Sequence, residues 1–208
     1  TLSQDINNDD NKNTKTILAG ESMKVFSVDV QSSNENVDVE TVTFTVASAA
    51  GSIKKAVSTA TLYLGNDEVG TATNADISDT TITFKNLTKL IVPQESKELR
   101  LALNTANIGF EKVGQTVTGF DVTAVTLDDA EGVSSGKSVT KAEDLAVSTD
   151  KVVAIVPPTV LPVVVSTLTG GQSKLKIVVN TGNNTVAGSN SKPSVLLTDL
   201  VFSGLGNN

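Results

Sequence analysis

Two runs with a period of two, one on each side of a proline, constrain this chain more than any other feature of it. Ile82 and Phe84 in the run 80–87, then Leu99, Leu101 and Leu103 in the run 99–103, recur at every second position. That spacing sends one row of side chains into a core and the other into water, as in a half-buried β-strand. Pro93 lies between the runs and has no N–H to give to a sheet ladder, so the connection there is a loop, an edge or a bulge. Two strands joined in this way need a second apolar surface over them. A chain of 208 residues can supply it within one large domain, or one domain and part of another.

The core available to such a fold is aliphatic. Hydrophobic residues make up 38% of the sequence but aromatics only 3%, so Val, Leu, Ile and Ala must fill the interior. Thr, Val, Ser and Asn are abundant, which suits pleated surfaces joined by turns. The net charge of −7, with no cluster of Lys or Arg, argues against nucleic acid as a partner. It leaves a self-repelling acidic surface, or acidic loops that recruit cations.

The chain contains neither Cys nor His. Disulfides, thiolate zinc sites and cysteine nucleophiles are therefore excluded, and so is a Ser-His-Asp triad. The most apolar stretch runs from Val152 to Val165 and is interrupted by Pro157, Pro158 and Pro162. It is too short and too broken to be a membrane-spanning segment, which needs about 18 apolar residues or more. The sequence opens at Thr1 without a signal-peptide pattern, as expected of a processed chain or a piece of a longer one.

Taken in order, residues 1–15 are polar, and Asp5, Asn7, Asp9 and Asn11 place oxygen ligands at alternate positions. Calcium loops begin in this way because successive oxygens converge on one hard cation. Here the sixth position is Asp10 rather than Gly and the twelfth is Thr16 rather than Glu, so a solvated loop competes with a weak calcium site. An extended region begins at Thr16, Gly20-Glu21-Ser22 is a turn, and from Met23 to Val30 both registers contain apolar residues, which predicts a strand covered on both faces. Residues 32–36 form a turn cluster. Val37, Val39, Val42, Phe44 and Val46 give the next strand, and its phase slips between 39 and 42 through a bulge or a bend. Ile53–Ala60 allows a helical turn too short to stand alone. Thr61–Leu64, the turn Gly65-Asn66-Asp67 and Val69–Thr73 read as a hairpin.

Val117, Phe120, Val122 and Val125 mark a further strand, followed by an acidic turn at Leu127–Gly132. Asp128, Asp129 and Glu131 on that turn are a second candidate set of calcium ligands. Val133–Ala146 reads as a last edge strand or an irregular return. Strands at about ten-residue spacing without a long helix predict an all-β, antiparallel β-sandwich.

Beyond Val156-Pro157-Pro158 the chain starts again. Ser166–Ile177 repeats the pattern of Thr16–Val25, and Val195–Phe202 that of Val39–Val46. The division expected is a module at 1–156 and, at 157–208, a Pro-rich linker with a second, partial β-sandwich module. Half a sandwich cannot cover its own apolar face, so Val163, Val165, Leu175, Ile177, Val179 and Leu196 are candidate assembly residues.

Several segments occur in a telling order: the Ala19-Gly20 turn, Thr41-Val42-Thr43-Phe44, Thr61-Leu62-Tyr63-Leu64-Gly65, residues 81–87, Ile91-Val92-Pro93 and Lys97–Leu101. The order resembles the immunoglobulin-like repeat of bacterial and archaeal cell-surface and S-layer-type proteins, over residues 16–150. Where those repeats carry Gly after the Pro, this chain has Gln94-Glu95-Ser96. The resemblance implies an immunoglobulin-like sandwich with a scaffold role at an extracellular cell surface, and it brings no catalytic residues.

Three readings follow. One is a non-catalytic structural component of a surface assembly that self-associates into a polymer or lattice. Another is an adhesin or carbohydrate-binding module, for which Tyr63 is the single sugar-stacking candidate among Tyr and Trp. The third is an enzyme working with carboxylates alone, although nothing in the sequence places a second carboxylate opposite Asp128, Asp129 and Glu131. Asn86-Leu87-Thr88 and Asn183-Asn184-Thr185 match the N-glycosylation pattern.

A calcium ion held by either acidic set raises the melting temperature by mass action. Extracellular calcium modules have Kd values of about 10⁻⁴–10⁻³ M, so identical melting temperatures in chelator and in ~10 mM calcium discard both sets.

Overall fold

A computed structural model of the protein describes residues 1–4, 8–12, 15–106, 117–139, 145–146, 153–156, 159–168 and 172–180. The first half contains β1 (Leu2–Ser3), α1 (Asp9–Lys12), β2 (Lys15–Leu18), β3 (Ser22–Val30), β4 (Val37–Ala47), α2 (Ile53–Ala56), β5 (Val57–Leu64) and β6 (Asp67–Thr73). A 3₁₀ turn at Asn74–Asp76 leads to β7 (Thr81–Phe84), β8 (Ile91–Val92) and β9 (Lys97–Thr105). Then come β10 (Val117–Gly132), β11 (Ser138–Val139), β12 (Leu145–Ala146), β13 (Val153–Val156), β14 (Thr159–Leu168) and β15 (Gln172–Asn180).

The fold is all-β. One sheet has the order β1-β3-β9-β5-β6 and the other β2-β13-β10-β4-β7, with β8 beside β4, and β11 and β12 beside β10. A single apolar core joins the two sheets. Phe26 of β3 meets Phe44 of β4 edge to face at 6.1 Å, and Phe44 meets Phe84 of β7 in the same way at 5.9 Å.

Ile82, Phe84, Leu99, Leu101 and Leu103 are all fully buried, as their spacing predicts. They do not form one strand pair, however. β7 pairs with β4, and β9 lies between β3 and β5 in the opposite sheet. The two rows thus cover each other across the core. The connection between them first follows β4: Leu87 N–H bonds Glu40 O, Val39 N–H bonds Leu90 O, and Val92 sits opposite Val37. Pro93 then ends the pairing, and the chain crosses to the other sheet.

The apolar residues in both registers of β3 have a local cause. Lys24 is opposite Ala102 and Phe26 is opposite Leu101, so Val25 is an extra residue in a bulge. The slip in β4 has a different cause. Its offset to β10 is the same on both sides of positions 40–41, while the buried residues step from Val42 to Val39 and, in β10, from Leu127 to Ala130. The two strands bend together, and Asp129 takes the left-handed conformation (φ 52°) at the bend.

The hairpin at 61–73 forms as expected. Gly65 (φ 64°) supplies the turn between β5 and β6, a conformation that costs a residue with a Cβ.

Three expectations are corrected. Asp128, Asp129 and Glu131 lie on strand β10 and not on a turn, because that stretch is laddered to β4. Within 133–146 the short β11 and β12 both pair with β10, and a further strand, Val153–Val156, follows; this β13 runs parallel to β2, so the second sheet is mixed rather than antiparallel throughout. In the C-terminal region β14 and β15 pair with each other, whereas β2 and β3, their counterparts in the repeat, enter different sheets. The register of that hairpin shifts between Leu161 and Val164, where Pro162 has no N–H to offer.

The sandwich has two poles. β3 runs from Ser22 to Val30, and Leu2 is opposite Val30 at its far end. Val156 is opposite Leu18, and its carbonyl accepts from Ala19 N–H beside the turn that opens β3. The chain therefore leaves the sandwich at the pole opposite Leu2, roughly 30 Å away by the rise of a nine-residue strand.

Leu101 is 0% exposed and sits between Phe26 and Leu62. Leu101→Ala is expected to cost about 2–5 kcal/mol through the cavity it opens. Denaturant unfolding measures this, and an unchanged midpoint contradicts the register.

Candidate functional site

A cleft of about 380 Å³ opens between the two sheets at the pole of Leu2. Leu2 on one sheet and Val37, Val92, Leu127 and Ala130 on the other give it an apolar floor. Ser32, Asn34, Glu35 and Lys137 contribute polar groups to its wall. Its size is in the range of pockets that take a small ligand or a few side chains.

The wall is held by bonds between loops distant in sequence. Glu35, in the β3–β4 turn, accepts Ser134 N–H at 2.7 Å and Ser135 N–H at 3.0 Å from the loop after β10. The Ser135 hydroxyl, then these two N–H groups and the nearby Lys137, hold its carboxyl below the usual glutamate range. Gly132 makes room for this clamp, since a Cβ there would collide with Glu35 Oε1 and crowd the Ser135 hydroxyl. On the other side Gln31 Nε2 donates to Gln94 O at 2.8 Å, Gln94 Nε2 donates to Asn34 O, and Ser32 N–H bonds Pro93 O at 2.9 Å. Ser32 Oγ is buried in the cleft wall and has no hydrogen-bond partner among the described residues. A serine without a base beside it is not an activated nucleophile.

A second clamp lies elsewhere. Asp79 accepts from the Ser52 hydroxyl at 2.8 Å and from Lys54 N–H at 3.2 Å. These bonds, with that of Ser52 foremost, lower its pKa and fix the start of α2.

The sequence-derived candidates are dispersed. Asp5 and Asn7 lie outside the described residues, and Asp9 opens α1. Asp10 is ion-paired with Lys15 at 2.8 Å. Asn11 is used on the backbone of β3: its Nδ2 donates to Ser27 O at 2.8 Å and its Oδ1 accepts Ser27 N–H at 3.0 Å. Asp128, Asp129 and Glu131 are exposed along β10, and Asp129 accepts the Thr41 hydroxyl at 3.1 Å. Among the described residues no group of three or more acidic side chains surrounds a common point.

Tyr63 is half-buried on β5, and the Lys24 ammonium lies 5.4 Å from its ring centroid, over the face a sugar would need. Asn86 of the first glycosylation triplet is exposed in a loop with φ 54°, and Asn183 lies outside the described residues. Val163 and Val165 are on β14, Leu175, Ile177 and Val179 are on β15, and Leu196 is outside the described residues.

The cleft itself was not legible in the sequence. Ser32–Asn36 reads only as a turn, and its link to Ser134 spans about a hundred residues. No local pattern reports it. No family model, curated protein or solved structure matches the chain. Among the described residues no helix is long and apolar enough to cross a membrane.

The Glu35 clamp has a pH signature. A carboxylate whose folded pKa is depressed adds stability above its unfolded pKa, about 4.3, and that stability is lost as pH falls through the folded value. The gap in denaturation midpoint between the parent and Glu35→Gln is therefore expected to be full from neutral pH down to about 5 and to close below about 4. A gap that does not change with pH contradicts the clamp.

Proposed function

We propose that the chain is a non-catalytic structural module of an extracellular surface assembly, such as an S-layer, array or filament, and that it associates with copies of itself. The observation that carries this reading is the position of Leu2 and Val156 at opposite poles of the sandwich. A module that takes in the chain at one pole and releases it at the other strings in line with its neighbours. The acidic charge, the lack of His and Cys and the strand-rich region beyond Val156 agree with such a role. A strand-rich segment that pairs with or covers part of the next copy makes a head-to-tail contact, which extends into a fibre or lattice instead of closing.

Sedimentation and negative-stain microscopy of the full chain over a range of concentrations test the reading. Ordered polymers are expected, and deletion of residues 160–208 is expected to leave a folded module that no longer polymerises. A monodisperse monomer at high concentration overturns it.

A further inference from the structure

The pole with the cleft carries an unusual share of exposed apolar surface. Ile91, Val133 and Val139 are the exposed large hydrophobic residues among those described, at 41%, 53% and 39%. All three are at this pole. Ile91 is opposite Asp38, Val133 N–H bonds Asn36 O, and Val139 is opposite Ala130 and lines the cleft. Scattered single residues of this kind need no explanation, but a group of them around a cleft with an apolar floor marks a contact surface. Ser32 is 8% exposed, and its buried Oγ, without a partner among the described residues, leaves a hydrogen-bonding group in the same wall.

Charge indicates what covers it. Residues 1–156 contain 13 basic and 22 acidic residues, a net −9, and residues 157–208 contain three lysines and one aspartate, a net +2, which together make the −7 of the whole. Within the β14–β15 hairpin there are Lys174 and Lys176 and no acid, and β14 has no charged residue at all. At the cleft pole Asp29, Glu35, Asp38, Glu95 and Glu131 outnumber Lys97, Lys137 and the Thr1 ammonium. An apolar hairpin with a basic strand is therefore complementary to a cleft with an apolar floor and an acidic surround.

We propose that this cleft is the acceptor for the β14–β15 hairpin of a second copy of the chain. The proposal rests on the self-association reading and specifies the surface involved. The hairpin leaves one copy at the pole opposite its own cleft, so the donor and acceptor surfaces of successive copies meet head to tail.

The test uses the full chain and reads the concentration at which polymers appear. Val133→Lys with Val139→Lys replaces two exposed side chains, and circular dichroism melting at low concentration checks that the fold is kept. This double variant is expected to raise the polymerisation concentration at least about tenfold. Lys174→Glu with Lys176→Glu is expected to raise it as well, and adding Glu131→Lys to that variant is expected to recover part of the loss. If the parent polymerises and the valine variant does so at the same concentration, the cleft is not the acceptor, although the assembly reading stands. If the valine variant lowers the melting temperature of a monomer, with no dependence on concentration, the hairpin docks within its own chain and the proposal fails. A parent that stays monomeric overturns both.

Discussion

Three phenylalanine rings hold this sandwich together at its centre. The chain has six Phe, one Tyr and no Trp, so few side chains can span the space between the sheets. Phe26 reaches across from β3 to Phe44 of β4, and Phe44 continues to Phe84 of β7, each contact edge to face. That geometry sets the positive edge of one ring against the negative face of the next. Aliphatic residues fill the layers around the rings, and Leu62, Leu99, Leu101 and Leu103 of the central strands are fully buried. With so few large side chains, the register of β3, β4 and β7 is tied to the rings meeting, since a one-residue slip would turn them outward.

The inward rows of this core were readable from the sequence because period-two alternation is a local property of a strand. Ile82, Phe84 and the three leucines of β9 needed no partner to be recognised. Which sheet each row joins was not readable. β7 and β9 are near in sequence but lie in opposite sheets, and the decision depends on β4 and β3 claiming them from a distance. The parallel partnership of β2 and β13 joins residues more than a hundred positions apart and has no signature in either segment. The acidic run 127–132 looked like a turn because Asp and Gly favour turns, yet its pairing with β4 keeps it extended. The Glu35 clamp, between loops about a hundred residues apart, has no local signature for the same reason as the sheet assignments.

A sandwich must also deal with its sheet edges, and the described ones are managed by different means. Along β3, beyond the short β1, the side-chain amide of Asn11 pairs with both backbone groups of Ser27 as a neighbouring strand would. Lys15 Nζ donates to Lys24 O further along. On the far side β6 carries an extra residue, Val69, between positions paired with Leu62 and Tyr63, and such a bulge spoils edge-to-edge pairing. Against this background the apolar pole around the cleft stands out, because among the described residues Ile91, Val133 and Val139 remain exposed there.

The parallel alignment of β2 and β13 has a mechanical consequence. Lys15–Leu18 lies beside Val153–Val156 over four paired positions. The chain before β2 comes from one pole, and the chain after β13 departs at the other. Tension applied between the two ends therefore drags these strands in opposite directions along their own length. The ladder is loaded in shear, with its hydrogen bonds strained together and not opened one after another from an end. Resistance to a pull is set by the barrier to unfolding rather than by equilibrium stability. The four paired positions of the β2–β13 ladder thus lie in the geometry that resists such a pull along the strands.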